Sequence, residues 1–179
     1  EQPQFPESRF YYWKNPDDGR DIILFIGDDQ PSSGSYEMAN AVVTLAERFQ
    51  VSRIITFAAA LTRIHHTEAP RVWGVATTAV LKRELSRYQI LRQGNLQIAG
   101  LNGLLLGVAK ERKVPGICLL GEVPHYTTRI QNPMAALAIA QTLGNYLQIS
   151  VNLTELTEQA LEMRERIKEV AARAMEEYI

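Results

Sequence analysis

Apolar and polar positions follow two rhythms along this chain, and each switch between them marks a strand or a helix. Phe10 to Trp13 is aromatic and strand-like, and Asn15-Pro16-Asp17-Asp18-Gly19 after it is a turn. Ile22 to Ile26 is apolar at every position, the pattern of a central strand covered on both faces. Beyond Gly27 to Ser35 comes an amphipathic helix with a predicted buried stripe of Met38, Ala41, Val42, Leu45, Ala46 and Phe49. Arg53 to Ala60 and Val72 to Ala76 read as strands, and Thr78 caps a helix through Leu81 and Leu85 that ends near Tyr88. Gly94-Asn95 turns the chain into a strand from Leu96 to Ala99. Asn102 then starts a helix through Leu104, Leu105, Val108 and Ala109, ended by Lys113 before Pro115. Ile117 to Leu120, opened by Pro115-Gly116 and closed by Pro124, reads as a buried strand feeding a polar loop over 121–133. Asn132 and Pro133 are a helix start, with an acceptor side chain at the cap and a fixed φ at the first helical position.

Each crossover between strands has to be covered, so this alternation predicts a largely parallel sheet sandwiched between helices. The helix from Pro133 to about Leu147 is apolar almost all round over Ala135 to Ala140. It is expected to be buried by the sheet and by a second surface, such as another subunit. A body over 1–150 is followed by a helical extension over 151–179. In the extension, Asn152-Leu153-Thr154-Glu155 matches a capping box, which also explains the glycosylation-like triplet. Leu153, Leu156, Ala160, Met163, Ile167, Val170 and Ala174 then alternate spacings of three and four, a narrow seam suited to packing against one other helix. That helix belongs either to the same body, the reading favoured here, or to a neighbouring subunit.

With 179 residues, 19 basic and 20 acidic, the chain has a net charge of −1 and no Lys/Arg-rich run. This argues against nucleic acid or an anionic membrane as a partner. No apolar run reaches membrane-spanning length. The lone Cys118 sits inside the apolar run 117–120, as expected of a thiol used as core filling in a reducing cytoplasm.

Candidate chemistry concentrates in the 121–133 loop, at the carboxyl end of a strand where open α/β sheets bind ligands or partners. It holds Glu122, His125, Tyr126, Thr127, Arg129 and Asn132. Glu122 and His125, with Arg129, are the weak candidates for catalysis, because an imidazole near a carboxylate titrates close to neutrality. No Gly-x-Ser-x-Gly elbow, cofactor fingerprint or metal set accompanies them, so no cofactor and no metal are expected. Contact is favoured over chemistry, Tyr and Arg being the commonest binding anchors. Gly27 to Ser35 lacks the Gly-Lys-Ser/Thr ending of a phosphate cradle, and Asp28 and Asp29 would repel phosphate. His65-His66-Thr67-Glu68 reads as an exposed polar loop whose adjacent histidines point apart in an extended segment. Gly100-Leu101-Asn102-Gly103 opens a helix and is read as a capped turn, with anion binding through its free N–H groups the alternative.

Four segments, in order, resemble the proteasome assembly chaperone family. They are Ile22 to Pro31 ending Gly-Asp-Asp-Gln-Pro, Pro70 to Thr77, Ile98 to Gly107, and Gly121 to Tyr126 continuing through Asn132-Pro133-Met134-Ala135-Ala136. The likeness spans roughly residues 9 to 170 and includes prokaryotic members of unestablished role. It implies a three-layer α/β/α sandwich with a largely parallel, mixed central sheet, similar to nucleoside phosphorylases and related hydrolases. It also implies a non-catalytic, self-associating scaffold or assembly chaperone in the cytoplasm, a homo-oligomer (a dimer, a trimer or a larger ring, with three or more copies among the options) that meets a protein assembly such as a proteasome ring. Two alternatives stand beside it. One is a small-molecule enzyme of phosphorylase or hydrolase type, or a relative of ATP-dependent ligases, acting through the 121–133 loop; the other is a small-molecule-sensing module. Relatives that engage proteasome rings end in hydrophobic–tyrosine–any residue, whereas Glu177-Tyr178-Ile179 puts a charge before the tyrosine.

Overall fold

The computed structural model describes residues 7–90, 98–127 and 130–176. In chain order the elements are β1 (Ser8–Trp13), β2 (Ile22–Gly27), α1 (Ser35–Arg48), β3 (Ile54–Thr62), β4 (Val72–Ala76), α2 (Ala79–Ser86), α3 (Gly100–Glu111), β5 (Gly116–Pro124), a 3₁₀ turn (His125–Thr127), α4 (Pro133–Leu147) and α5 (Thr154–Glu176). Burial is deepest in β5, where all nine residues are enclosed. Strand β3 pairs with it in parallel, from Ile54 opposite Gly116 to Thr62 opposite Pro124. Strand β4 pairs with its other edge antiparallel, Val72 opposite Gly121 and Ala76 opposite Ile117. The central sheet is therefore mixed, ordered β3-β5-β4, and β1 and β2 form a separate antiparallel ribbon.

The layers follow from the alternation of side chains along the strands. On one face of the sheet, Ala60, Cys118 and Leu120 meet Leu106 of α3, and α3 packs on α1 through Leu101, Leu105, Val108, Ala39 and Val43. On the other face, Ile117, Leu119 and Val72 meet Leu81 and Leu85 of α2 and Leu143 and Tyr146 of α4. The result is a three-layer α/β/α sandwich, with α5 packed on α4. The second surface expected for α4 is thus α5 of the same chain, reached through the half-buried Leu156, Met163 and Ile167 and the buried Ala160. At the amino end of β3, Arg53 donates to Glu84 of α2 (2.7 Å) and to the Tyr146 hydroxyl, tying three elements together. Burial pushes the Tyr146 phenol up to about 12. Burial likewise pushes up the thiol of Cys118, which fills the core of β5.

Two predicted caps form as read: Thr78 Oγ1 accepts from Leu81 N (3.2 Å), and Asn132 Oδ1 accepts from Ala135 N (3.0 Å). Several expectations are corrected. β2 is no central strand; Phe25 packs on the α1/α3 core and stacks on Phe10, while Leu24 and Ile26 are exposed. An unbroken apolar run does not distinguish a central strand from a ribbon with one uncovered face. In α1 the buried line is Ala39, Val43 and Ala46, and Ala41 and Phe49 are exposed. Small residues there give α3 a close approach, and Phe49 lies just past the last turn. α3 begins at Gly100, not Asn102, whose side chain instead donates to Phe57 O on β3 (2.7 Å). Ile98 and Ala99 are not in a strand; Gly94 to Gln97 lie outside the described residues. Asn152 accepts from Thr154 N (3.1 Å), and Glu155 accepts from Gln159 Nε2 (3.2 Å), so the reciprocal capping box is replaced by a local Asn turn.

Candidate functional site

β5 runs on to Pro124, four residues past the apolar run, so Glu122 lies in the central strand and not on a loop. Its side chain is fully buried. Oε2 accepts from Arg71 N (3.0 Å) and Arg71 Nε (2.9 Å), and Oε1 accepts from Arg71 Nη2 (3.0 Å). Glu122 N donates in turn to Arg71 O (3.0 Å). The exposed guanidinium lies over the Trp73 ring, 5.8 Å from its centroid. Burial pushes the Glu122 carboxyl up, but the hydrogen bonds and charge of Arg71 outweigh it and hold it below the ordinary carboxylate range. Trp73 adds a smaller effect in the same direction, although its buried Nε1 has no partner within hydrogen-bonding geometry. A carboxylate with both oxygens engaged by one fork is an anchor between β4 and β5; it is ionised at neutral pH with no proton to give.

His125 does not turn to Glu122. Its Nδ1 lies 3.3 Å from Thr62 O at the end of β3, and its ring stands edge-on to Tyr126. The Tyr126 hydroxyl accepts from His66 N (2.9 Å) and lies 3.1 Å from His66 Nδ1. His65 stacks on His66 with centroids 4.1 Å apart, so the two histidines converge, contrary to the extended reading. The reason is a turn: Glu68 N donates to His65 O (3.0 Å), and Glu68 Oε1 accepts from His65 N (2.9 Å). All three histidines of the chain thus gather around Tyr126. Burial, with His65 and Lys168 adding like charge, pushes the His66 imidazole below its ordinary value. Thr127 is buried and donates to Pro124 O (2.9 Å), closing the 3₁₀ turn. Arg129 lies outside the described residues. Among the described residues no group of three or more His, Cys, Asp or Glu is placed to hold a metal ion.

The remaining motif residues hold the scaffold together. Gln30 Oε1 accepts from Leu101 N (2.9 Å), filling the N–H that an anion at the start of α3 would take. Gly100 adopts φ +72, and a Cβ there would press on Gln30. Gly103 is a point of close approach, where a Cβ would run into Ile98 O. Asp28 accepts from Glu7 N (3.0 Å), and Thr77 Oγ1 accepts from Gly116 N (2.9 Å). Sequence reading missed Arg71, Gln30 and His66 as partners; nothing local signals contacts between residues 51, 71 and 60 positions apart.

What the region presents outward is a surface. The cap residue Asn132, Pro133 and Ala136 of α4, and Leu156, Met163 and Arg166 of α5 line an open groove of about 560 Å³, and Tyr126 and Ile130 are exposed. Neither this groove nor the open hollow lined by Ala41, Leu45 and Phe49 is lined by Glu122 or His125. No helix among the described residues is long and apolar enough to cross a membrane.

The sequence matches the PAC2 family over residues 2–171. It is similar to the uncharacterised protein MJ1210 of Methanocaldococcus jannaschii, 28% identical over 167 residues, which cover 91% of this chain and 62% of the relative. The chain thus spans less than two thirds of that relative's length. Its fold is similar to Pyrococcus furiosus PbaB, described as an archaeal proteasome activator, with a TM-score of 0.80 and 30% identity over 94% of this chain and 72% of PbaB. A PAC2 family protein from Streptomyces avermitilis superposes with a TM-score of 0.82 and 25% identity over 98% of this chain and 73% of its own.

Proposed function

This chain belongs to the PAC2 family, and from that premise we propose that it is a non-catalytic, self-associating scaffold or assembly chaperone. It works in the cytoplasm through the surfaces it presents. One observation carries this reading: the carboxylates, amides and hydroxyls of the four motif segments each bond to the chain's own atoms, Asp28 and Asp29 doing so at the surface. Asp28, Asp29, Gln30, Thr77, Asn102, Glu122, Tyr126 and Asn132 all bond to the chain's own atoms. A catalytic constellation keeps such groups turned toward a space where substrate would sit; here Gln30, Thr77, Asn102, Glu122 and Tyr126 fasten one element to another, and Asp29 and Asn132 make local turns and caps. The outward features are apolar and aromatic: Tyr126, Ile130, Leu161 and the groove between α4 and α5.

The partner class is a protein assembly. The likeness to PbaB supports a proteasome-type ring, contacted through the 121–133 loop and the α5 end of the molecule. The test is sedimentation velocity on the full chain at micromolar concentration, alone and with purified proteasome rings. A discrete assembly of several copies, and co-sedimentation with rings, is the expected result. A single monomer boundary at every concentration contradicts self-association, and absence of ring binding contradicts the proteasome partner alone.

A further inference from the structure

The sandwich has an uncovered half. Ile54, Ala58 and Ala60 of β3 face the α1/α3 side, so Phe57 and Leu61, being odd-numbered, face the opposite side with Ile55, which packs on the cluster shared with α4. Phe25 of β2 packs on α1 and α3, which turns Leu24 and Ile26 away from them. Their ribbon partner Tyr11 turns the same way, as does Trp13 two residues on. α2 and α4 cover β4, β5 and the start of β3 on that side, and leave the rest bare. Tyr11, Trp13, Leu24, Ile26, Phe57 and Leu61 are between 37 and 57% exposed.

We propose that this bare side of the sheet is the seat of a second copy of this chain. The inference rests on the self-association reading and names the surface that carries it. Three observations point to a like chain. First, area: six large side chains about half exposed offer roughly 80–100 Å² each, on the order of 500–600 Å² per copy and about 1,000–1,200 Å² for a pair, the threshold of a specific interface. Second, charge: Arg9 is the one residue of the two ribbon strands that is charged at neutral pH, and although it lies opposite Ile26 on this side, it is paired with Glu7 of its own chain. An apolar patch that meets itself about a two-fold axis needs no complementary charge, whereas a nucleic acid or an anionic membrane would require a basic rim. Third, edges: among the described residues the second edge of β2 and the outer edge of β3 meet no other strand. Free edges are ordinarily blunted by Lys, Pro or a bulge, and Ile22 to Gly27 has neither a charged residue nor a proline. A two-stranded ribbon is also marginal by itself, and a second copy supplies what it lacks.

The test combines two measurements on the full chain. A photo-crosslinking residue at position 24 is irradiated in the assembled protein, with position 161 on α5 as comparison. Native mass spectrometry is then run on Leu24→Thr/Ile26→Thr, a change that keeps β-favouring side chains while removing apolar area. The expected result is copy-to-copy crosslinking from position 24 and at least a tenfold rise in the concentration at which the double variant assembles, with an unchanged circular dichroism spectrum. If the wild-type chain assembles but position 24 crosslinks only within its own chain or to another protein, or the variant assembles as the wild type does, this inference is overturned while self-association stands. If the wild-type chain is monomeric, both fall.

Discussion

Two regions of this molecule are built to opposite rules. At the carboxyl end of β5 the carboxylate and hydroxyls are engaged, with only the Trp73 indole N–H, among the described residues, left without a partner beside them: Glu122 is enclosed, both of its oxygens are held by Arg71, and the hydroxyls of the neighbouring Thr127 and Tyr126 bond to the chain's own atoms. At the ribbon and the outer half of β3, apolar surface is left open on a side where a helix layer is missing. Groups awaiting a substrate would be unsatisfied polar atoms in a cleft; surface awaiting a partner is uncovered hydrocarbon. Under the function proposed above, the polar groups of the motifs serve folding and the apolar face carries the contacts.

The comparison is broken most severely in the closed region. Leu119→Ala removes a fully enclosed side chain of β5 and is expected to cost about 2–5 kcal/mol in chemical denaturation. A cost below ~1 kcal/mol would mean that β5 is not the centre of the core. Glu122→Gln keeps the shape but loses the charge-assisted bonds to Arg71, with an expected cost of about 1.5–3 kcal/mol. The same variant sharpens the acid limb. The folded carboxyl lies below its ordinary value, so its stabilisation is present above the unfolded carboxylate pKa and is lost as pH falls through the folded one. Glu122→Gln should flatten that loss in an acid titration of stability.

Asn132→Ala removes the cap acceptor of α4 and is expected to cost about 1 kcal/mol by thermal or chemical denaturation. The histidine cluster gives a further, gentler limb. His66 is neutral and buried, with a folded pKa below the ordinary 6.5, so the unfolded chain takes up the proton first and stability falls as pH drops below about 6.5. His65 and Lys168 face it with like charge, and the Tyr126 hydroxyl contacts it. His66→Gln should weaken the pH dependence between pH 7 and 5 in urea titrations; an unchanged slope would exclude this group as its source. The smallest effect belongs to the open region, where Leu24→Thr should change the stability of the separated monomer by less than about 0.5 kcal/mol.

Much of the fold was legible because it is local. Thr78 and Asn132 cap through an atom three residues away, and the alternation of strands and helices follows from periodicity within single segments. The α5 seam was readable for the same reason, and its partner α4 comes just before it in the chain. The site was less legible because its meaning is non-local. Glu122 sits next to a loop in sequence, and only the pairing of β4 with β5 brings Arg71 across to enclose it. His65 and His66 converge because a turn at Glu68 replaces the extended segment, and Tyr126 reaches them from the end of β5. The apolar run Ile22 to Ile26 promised cover on both faces and was correct about the chemistry of the strand. What it could not say is that one face, carrying Leu24 and Ile26, is left exposed in the described fold.

The most direct measurement is multi-angle light scattering at micromolar concentration on three proteins side by side: the wild-type chain, Glu122→Gln, and Leu24→Thr/Ile26→Thr. The wild type and Glu122→Gln are expected at a mass of at least two chains of 20.2 kDa, and the ribbon variant is expected to shift toward the single-chain mass. A wild-type chain that runs as a monodisperse 20.2 kDa species would contradict self-association.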